Sequence, residues 1–409
     1  MPSEDTDPRP GSSTAAVHGG RLPDRPWPHG LSTPVFQSTT YELDAAAYED
    51  IARTGGTETW WYTRLGNPTV DAVAAKLAVL EGAGAAQSFA SGMAAITATV
   101  MTAVPPGGRV VAARELYGEA YTLLADVVPA SGRSVSFVAM SDLDGWRREL
   151  PGADAAYVET LSNPMLRVAN LPAIARLAHQ AGAAAIVDST FATPVNVRPL
   201  EHGFDLVVHS ATKYLGGHSD LMAGVVAGST ERIADITATA KTFGGCLDPA
   251  TAATLDRSLK TLALRMERHN DNALAVARWL ESLDEVEAVS YPMLDSHPDV
   301  ALARGLLAGG SGIVTFRAQG GDVRAGGLMD SLRLITQATS LGGVESLISA
   351  PYNTSHRQLS AVERAAIGIL PGTLRLSVGV EDVADLIDDL DRALTASAAA
   401  ATPGSRGSR

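Results

Sequence analysis

Between Pro68 and Ala227 the chain alternates short apolar runs with stretches of helical spacing, and this constrains the fold more than any other feature. Val70, Val73, Leu77 and Leu80 give Pro68 to Glu81 the spacing of a buried helix face. A helix from Met93 to Thr102 stops at Pro105-Pro106-Gly107-Gly108. Strands are expected at Arg109 to Ala112, Ser134 to Val138, Ala155 to Glu159, Ala184 to Asp188, Leu206 to His209 and Met222 to Ala227. Helices at Tyr117 to Val127, Leu143 to Glu149 and Leu171 to Ala181 lie between them. Such alternation implies a mostly parallel sheet, with ligands at the carboxyl ends of its strands.

A long helix, Pro249 to Leu283, is expected to bridge to a second unit. From Val286 short strands (Val286 to Tyr291, Ile313 to Arg317, Leu334 to Ala338, Thr373 to Ser377) mix with helices, and Val383 to Leu394 is the last helix. The division read from this pattern is an N-terminal arm over 1–66, a large domain over 67–262, an α+β domain over 263–396 and a tail over 397–409. Residues 1–16 and the tail are expected to be disordered. The rest of the arm has little periodicity, and an extended arm needs another surface to lie on, which points to an oligomer.

The chemistry gathers at strand ends. Only four lysines occur, Lys76, Lys213, Lys241 and Lys260. Lys213 follows a strand and sits among Ser210, Thr212, Gly216 and Gly217. A partly buried amine loses its charge readily and can then condense with a carbonyl. Asp188 ends another strand. Ser91-Gly92-Met93 opens an apolar helix, whose free N–H groups suit a phosphate. An anion cradle, a carboxylate for a ring nitrogen and an aldehyde-capturing lysine are what pyridoxal 5′-phosphate (PLP) requires.

With these and further motifs the chain resembles the Cys/Met-metabolism PLP enzymes: cystathionine γ-synthase and γ-lyase, methionine γ-lyase and the O-acylhomoserine sulfhydrylases. The motifs are Tyr62-Thr63-Arg64…Asn67-Pro68-Thr69, Ser91-Gly92-Met93, Tyr117-Gly118, Glu159…Asn163-Pro164, Asp188-Ser189-Thr190-Phe191, the Lys213 stretch, Ser340-Leu341-Gly342-Gly343 and Arg375-Leu376-Ser377-Val378-Gly379. The resemblance implies an α/β fold of the PLP-dependent transferase type (aspartate aminotransferase-like, fold type I), with a smaller α+β C-terminal domain. It implies that Lys213 bonds the cofactor, Asp188 holds its ring nitrogen, and Tyr117 stacks over the ring and protonates a leaving group. Ser91, Gly92, Met93, Ser210 and Thr212 match the phosphate cradle, Thr190 belongs to the Asp188 motif at the cofactor, and Asn163 matches the partner of the ring oxygen. Tyr62 and Arg64 match a pair that reaches the phosphate from a neighbouring subunit, so sites shared within a dimer or tetramer are expected. Ser340 and Arg375 match the site for the substrate's α-carboxylate.

The family's cystathionine-handling members carry charges at three positions that here are Trp61, Thr122 and Thr339. Distal charges of cystathionine buried without partners would be costly. Glu119 stands where the methionine γ-lyases have a cysteine, and Lys241 where they have a lysine. Glu119, Trp61, Thr339 and Lys241 are therefore read as substrate-pocket residues. The expected reaction is γ-elimination on an L-amino acid with a compact γ-substituent, as in methionine γ-lyase. The alternatives are γ-replacement (cystathionine γ-synthase or O-acylhomoserine sulfhydrylase), cystathionine γ-lyase, and γ-elimination of an unusual γ-substituted amino acid in specialised metabolism. A non-catalytic PLP-fold binding subunit is the alternative from another class, and Lys213, Asp188 and Arg375 speak against it.

A formal charge of −13 disfavours nucleic acid or an anionic membrane as partner. The single cysteine, Cys246, excludes an intramolecular disulfide, and the nine histidines show no metal-ligand spacing, so no metal is expected. The first residues, acidic and Pro-rich, lack the pattern of a secretory signal, and the cytoplasm is the expected compartment.

Overall fold

The structure, a computed structural model, describes residues 11–20, 30–56, 59–357 and 359–401. Seven strands form the larger sheet: β1 (Ala85–Phe89), β2 (Arg109–Ala113), β3 (Ser134–Val138), β4 (Ala155–Glu159), β5 (Ala184–Asp188), β6 (Leu206–Ser210) and β7 (Gly224–Gly228). Their order is β1-β7-β6-β5-β4-β2-β3. β3, β2, β4, β5 and β6 run parallel, and β7 is antiparallel to both its neighbours. All five residues of β4 are buried, as expected of a central strand covered on both faces. The parallel register places Glu159 opposite Asp188, so two carboxylates leave the sheet side by side.

The helices that position the site have readable ends. Asn67 caps helix Pro68–Glu81 by accepting from Thr69 N, and Gly82 closes it at φ 67°. Ser91 caps helix Gly92–Ala103, its Oγ accepting from Ala94 N at 3.1 Å.

The second sheet holds β8 (Val286–Ser290), β9 (Ile313–Ala318), β10 (Thr336–Gln337), β11 (Leu347–Ser349) and β12 (Thr373–Ser377), in the order β10-β11-β12-β9-β8. It has its own core, in which Phe316, Leu374 and Leu376 meet Leu386, Leu390 and Leu394 of helix Val383–Ala401. Among the described residues no helix is long and apolar enough to cross a membrane.

Several expectations need correction. Residues 12–16 belong to helix Ser12–His18, which buries Ala15 and Ala16 against helices Pro68–Glu81 and Leu262–Glu281. Residues 1–10 lie outside the description. The arm is not wholly extended: Ala45–Thr54 is a helix capped by Asp44, with no buried residue. The expected long helix is two, Pro249–Leu259 and Leu262–Glu281. At the break the carbonyl of Ser258 accepts from Arg265 Nη2 at 3.0 Å, a stronger charged donor replacing a helical one. At the other end helix Val383–Ala401 runs into the expected tail, because Ser397 is buried and bonds the Leu394 carbonyl. Residues 402–409 lie outside the description. Helix Thr230–Phe243 had no strong signal, since it buries only Ile233, Ile236 and Ala240.

Candidate active site

The carboxyl ends of β4, β5 and β6, the start of helix Gly92–Ala103 and the loop after β10 meet around a cavity of about 570 Å³. Lys213 lies on the turn that follows β6, and Arg265 holds that turn from beneath. Its Nη1 donates to Tyr214 O at 2.7 Å, and burial lowers the guanidinium to about 10. Gly217 leaves the room, since a Cβ there would stand 1.9 Å from Arg265 Nη1.

Lys213 Nζ donates to Ser340 Oγ at 2.7 Å. Burial, and then the charge of Arg375, lower the amine to about 8. Ser340 adopts a left-handed φ of 78°, strained for a residue with a Cβ. In that conformation it meets Lys213 with its hydroxyl and Arg375 Nη2 with its carbonyl, at 3.0 Å. Arg375, on β12, is buried and also donates from Nη1 to Asn163 Oδ1 at 3.0 Å. Its Nε has no partner among the described residues.

Asp188 accepts from Thr190 N at 2.9 Å, and Thr190 Oγ1 accepts from Ser210 N at 2.8 Å, which ties β5 to β6. Burial raises Glu159 well above the carboxylate range, and the neighbouring Asp188 charge raises it further. Asp188 is raised too by burial, but its Thr190 hydrogen bonds and then the charge of His209 pull it back. Two adjacent carboxylates do not both ionise easily, and the stronger upward push falls on Glu159. Below them His209 Nε2 and Glu81 Oε1 form a fully buried pair at 2.6 Å.

Tyr117 backbone N donates to Glu159 Oε1 at 2.6 Å, which fixes the phenol over the cavity. Burial raises the phenol, and the Glu119 charge adds to this. The phenol is therefore protonated at neutral pH.

Ser91, Gly92, Met93, Tyr117, Glu119, Asn163, Asp188, Thr190, Ser210, Thr212, Lys213, Thr339, Ser340 and Arg375 all line this cavity. Trp61, Tyr62, Arg64 and Lys241 do not, so Trp61 does not close the cavity of its own chain. Arg64 and Lys241 line a second cavity of about 360 Å³, where Arg64 Nη1 donates to the Lys241 carbonyl at 2.6 Å. Arg64 also lies over the Tyr62 ring, 5.6 Å from its centroid. Trp61 packs over Gly56, where a Cβ would meet its indole nitrogen at 2.3 Å.

Sequence reasoning gave no role to Glu159 beside Asp188 and missed the segment 353–357, which brings Arg357 to the cavity. That segment has neither apolar periodicity nor a chemical spacing to mark it.

These residues fit PLP. Gly92 packs so closely on Ser210 that a Cβ there would strike Ser210 Cβ at 2.7 Å, which brings the N-terminus of helix Gly92–Ala103, suited to a phosphate, to the cavity wall beside the Ser210 hydroxyl. A buried carboxylate, a lowered amine and an unpartnered guanidinium nitrogen complete the set.

The profile of the family described as Cys/Met metabolism PLP-dependent enzyme matches residues 13–395. The L-methionine γ-lyase of Pseudomonas putida is 39% identical over 400 residues, 95% of this chain and 98% of that protein. The cystathionine γ-lyase of Bacillus subtilis (strain 168) is 39% identical over 383 residues, 93% of this chain and 98% of its own. The crystal structure of cystathionine γ-synthase from Xanthomonas oryzae pv. oryzae, in complex with aminoacrylate and cysteine, superposes with a TM-score of 0.89 at 34% identity. It covers 95% of this chain and 98% of that one.

Proposed function

Since the chain belongs to the Cys/Met metabolism PLP-dependent enzyme family and PLP is its cofactor, we propose that it catalyses γ-elimination on an L-amino acid with a compact γ-substituent. The observation that carries this reading is one cavity holding a lowered amine, a protonated phenol and a buried guanidinium: Lys213, Tyr117 and Arg375. Thr339 lines that cavity where a cystathionine enzyme would carry a charge, which supports a substituent smaller than a second amino acid.

Bound PLP supplies an electron sink for charge that develops at Cα. Gly92 and Met93 would offer N–H groups to its phosphate, Ser210 and Thr212 would offer hydroxyls, Asp188 would keep the ring nitrogen protonated, and the Asn163 amide would serve the ring oxygen. Arg375 grips the substrate's α-carboxylate with Ser340 beside it, which fixes the Cα–H bond relative to Lys213. Lys213, neutral above about pH 8, removes the Cα proton. A Cβ proton is lost next, and its electron pair forms the Cβ–Cγ double bond as the Cγ–substituent bond breaks, with Tyr117 handing its proton to the departing γ-substituent. Hydrolysis of what remains yields an oxo acid and ammonia.

Self-association with shared sites is part of the proposal. Tyr62 and Arg64 lie off the cavity of their own chain, as residues that serve a neighbour's site must. A cytoplasmic homotetramer is the assembly inferred.

The test is a substrate panel of methionine, homocysteine, cystathionine, acylhomoserines and vinylglycine analogues, scored for oxo acid and ammonia and, with added thiol, for new thioethers. Oxo acid from methionine or homocysteine supports γ-elimination. Thioethers from acylhomoserines without oxo acid would establish γ-replacement instead, a reading supported by the likeness to the Xanthomonas synthase.

A further inference from the structure

We infer that residues 353–357 form a subsite for the far end of the substrate's γ-substituent, in which Arg357 holds an anionic group. This rests on the γ-elimination reading and narrows its substrate class to amino acids whose γ-substituent ends in an acid.

Two guanidiniums face the cavity, and they differ in what they are free to do. Arg375 is buried and bound to Asn163 and Ser340. Arg357 stands on the loop between the turn Pro351–Asn353 and helix Ala361–Ala366, exposed at the cavity. Its side chain has no hydrogen bond or ion pair among the described residues.

Tyr117 connects the two. Its phenol lies within electrostatic reach of both guanidiniums, with Arg375 the stronger influence. A substrate with its α-carboxylate on Arg375 and its leaving group at Tyr117 therefore continues toward Arg357. The surroundings there are hydrogen-bonding: Asn353, Thr354 and Ser355 share the segment, and Thr339 lines the same cavity. An alkyl end would strip water from the guanidinium and give nothing back. A carboxylate would gain a charge-assisted, two-pronged bond and hydroxyl donors beside it.

Glu119 lines the cavity from helix Gly118–Thr122 and forms no ion pair with Arg357. Its charge repels an acid, so an acidic end is held at Arg357 rather than beside Glu119.

The experiment compares S-carboxyethyl-L-homocysteine with its neutral isostere S-carbamoylethyl-L-homocysteine on the holoenzyme. The ratio of their kcat/KM values within one variant cancels differences in folding or cofactor content. Wild type should favour the carboxylate by about tenfold. Arg357→Gln should bring the ratio to about one, Arg357→Lys should keep part of it, and Glu119→Gln should leave or enlarge it. Calorimetric binding of L-aminoadipate against L-norleucine, neither of which has a leaving group, should show the same Arg357-dependent preference. A ratio near one in wild type, or an unchanged ratio in Arg357→Gln, would overturn the subsite. If neither thioether gives oxo acid while aminoadipate keeps its Arg357-dependent preference, the γ-elimination reading fails and the subsite stands.

Discussion

Lys213 Nζ donates a 2.7 Å hydrogen bond to Ser340 Oγ across 127 residues of sequence. The same Ser340 gives its carbonyl to Arg375, so the amine read as the proton carrier and the carboxylate clamp share one strained residue.

Among the described residues Lys213 is the one lysine in the larger cavity. Borohydride reduction of the holoenzyme should fix the cofactor to the peptide that contains Lys213, read by peptide mass. Lys213→Ala should abolish that attachment. Cofactor still fixed to the Lys213→Ala chain would refute the assignment.

The amine is held at about 8, below the ordinary lysine range near 10.4, first by burial and then by Arg375. Labelling of Lys213 by limiting acetic anhydride in cofactor-stripped enzyme should rise through about pH 8 and level off above it. Arg375→Gln removes a positive neighbour, so the ammonium becomes less unfavourable and the midpoint should move upward. A wild-type midpoint near 10 would show that the amine is not lowered.

Arg375→Lys keeps the charge and loses the planar fork. The substrate carboxylate, Asn163 and the Ser340 carbonyl would then compete for one ammonium. A fall in kcat/KM of about a hundredfold is expected, with visible absorbance of bound cofactor retained. A change smaller than threefold, on the order of a surface substitution, would remove Arg375 from the substrate site.

Gly217 and Gly244 both have left-handed φ, 69° and 77°, but differ in space. A Cβ on Gly217 meets Arg265, whereas one on Gly244 meets nothing within 4 Å. Gly244→Ala should cost about 1 kcal/mol. Gly217→Ala should cost about 2–4 kcal/mol, because it also pulls Arg265 from the carbonyls of Tyr214 and Ser258. Denaturant midpoints at constant slope decide, and equal losses would show that Arg265 does not brace the Lys213 turn.

If sites are shared, an Arg64→Ala parent mixed with a Lys213→Ala parent should regain part of the activity, since some mixed dimers hold one intact site. Absence of recovery, with subunit exchange demonstrated by mass, would rule out sharing through Arg64.

By itself the sequence determined six of the large sheet's seven strands and the residues at their ends. Apolar runs such as Ala155 to Glu159 and Ala184 to Asp188 coincide with β4 and β5, because a strand covered on both faces must be apolar along its length. Lys213, Asp188 and Ser91 were legible for the same reason: strand and helix ends are where a parallel sheet can hold a ligand. What only the tertiary structure decided depends on contacts between distant segments. Arg375 meets Asn163 across 212 residues, and no local periodicity encodes that distance. The pairing of Glu159 with Asp188 follows from register between strands, and the reach of Arg357 from a loop of no regular spacing. Residues 12–16 show the reverse case, a short stretch too polar to predict as ordered that is helical because two alanines find a core to enter. Local pattern tells which face a segment buries, while packing between segments sets which charges meet, and the chemistry of this cavity lies in those meetings.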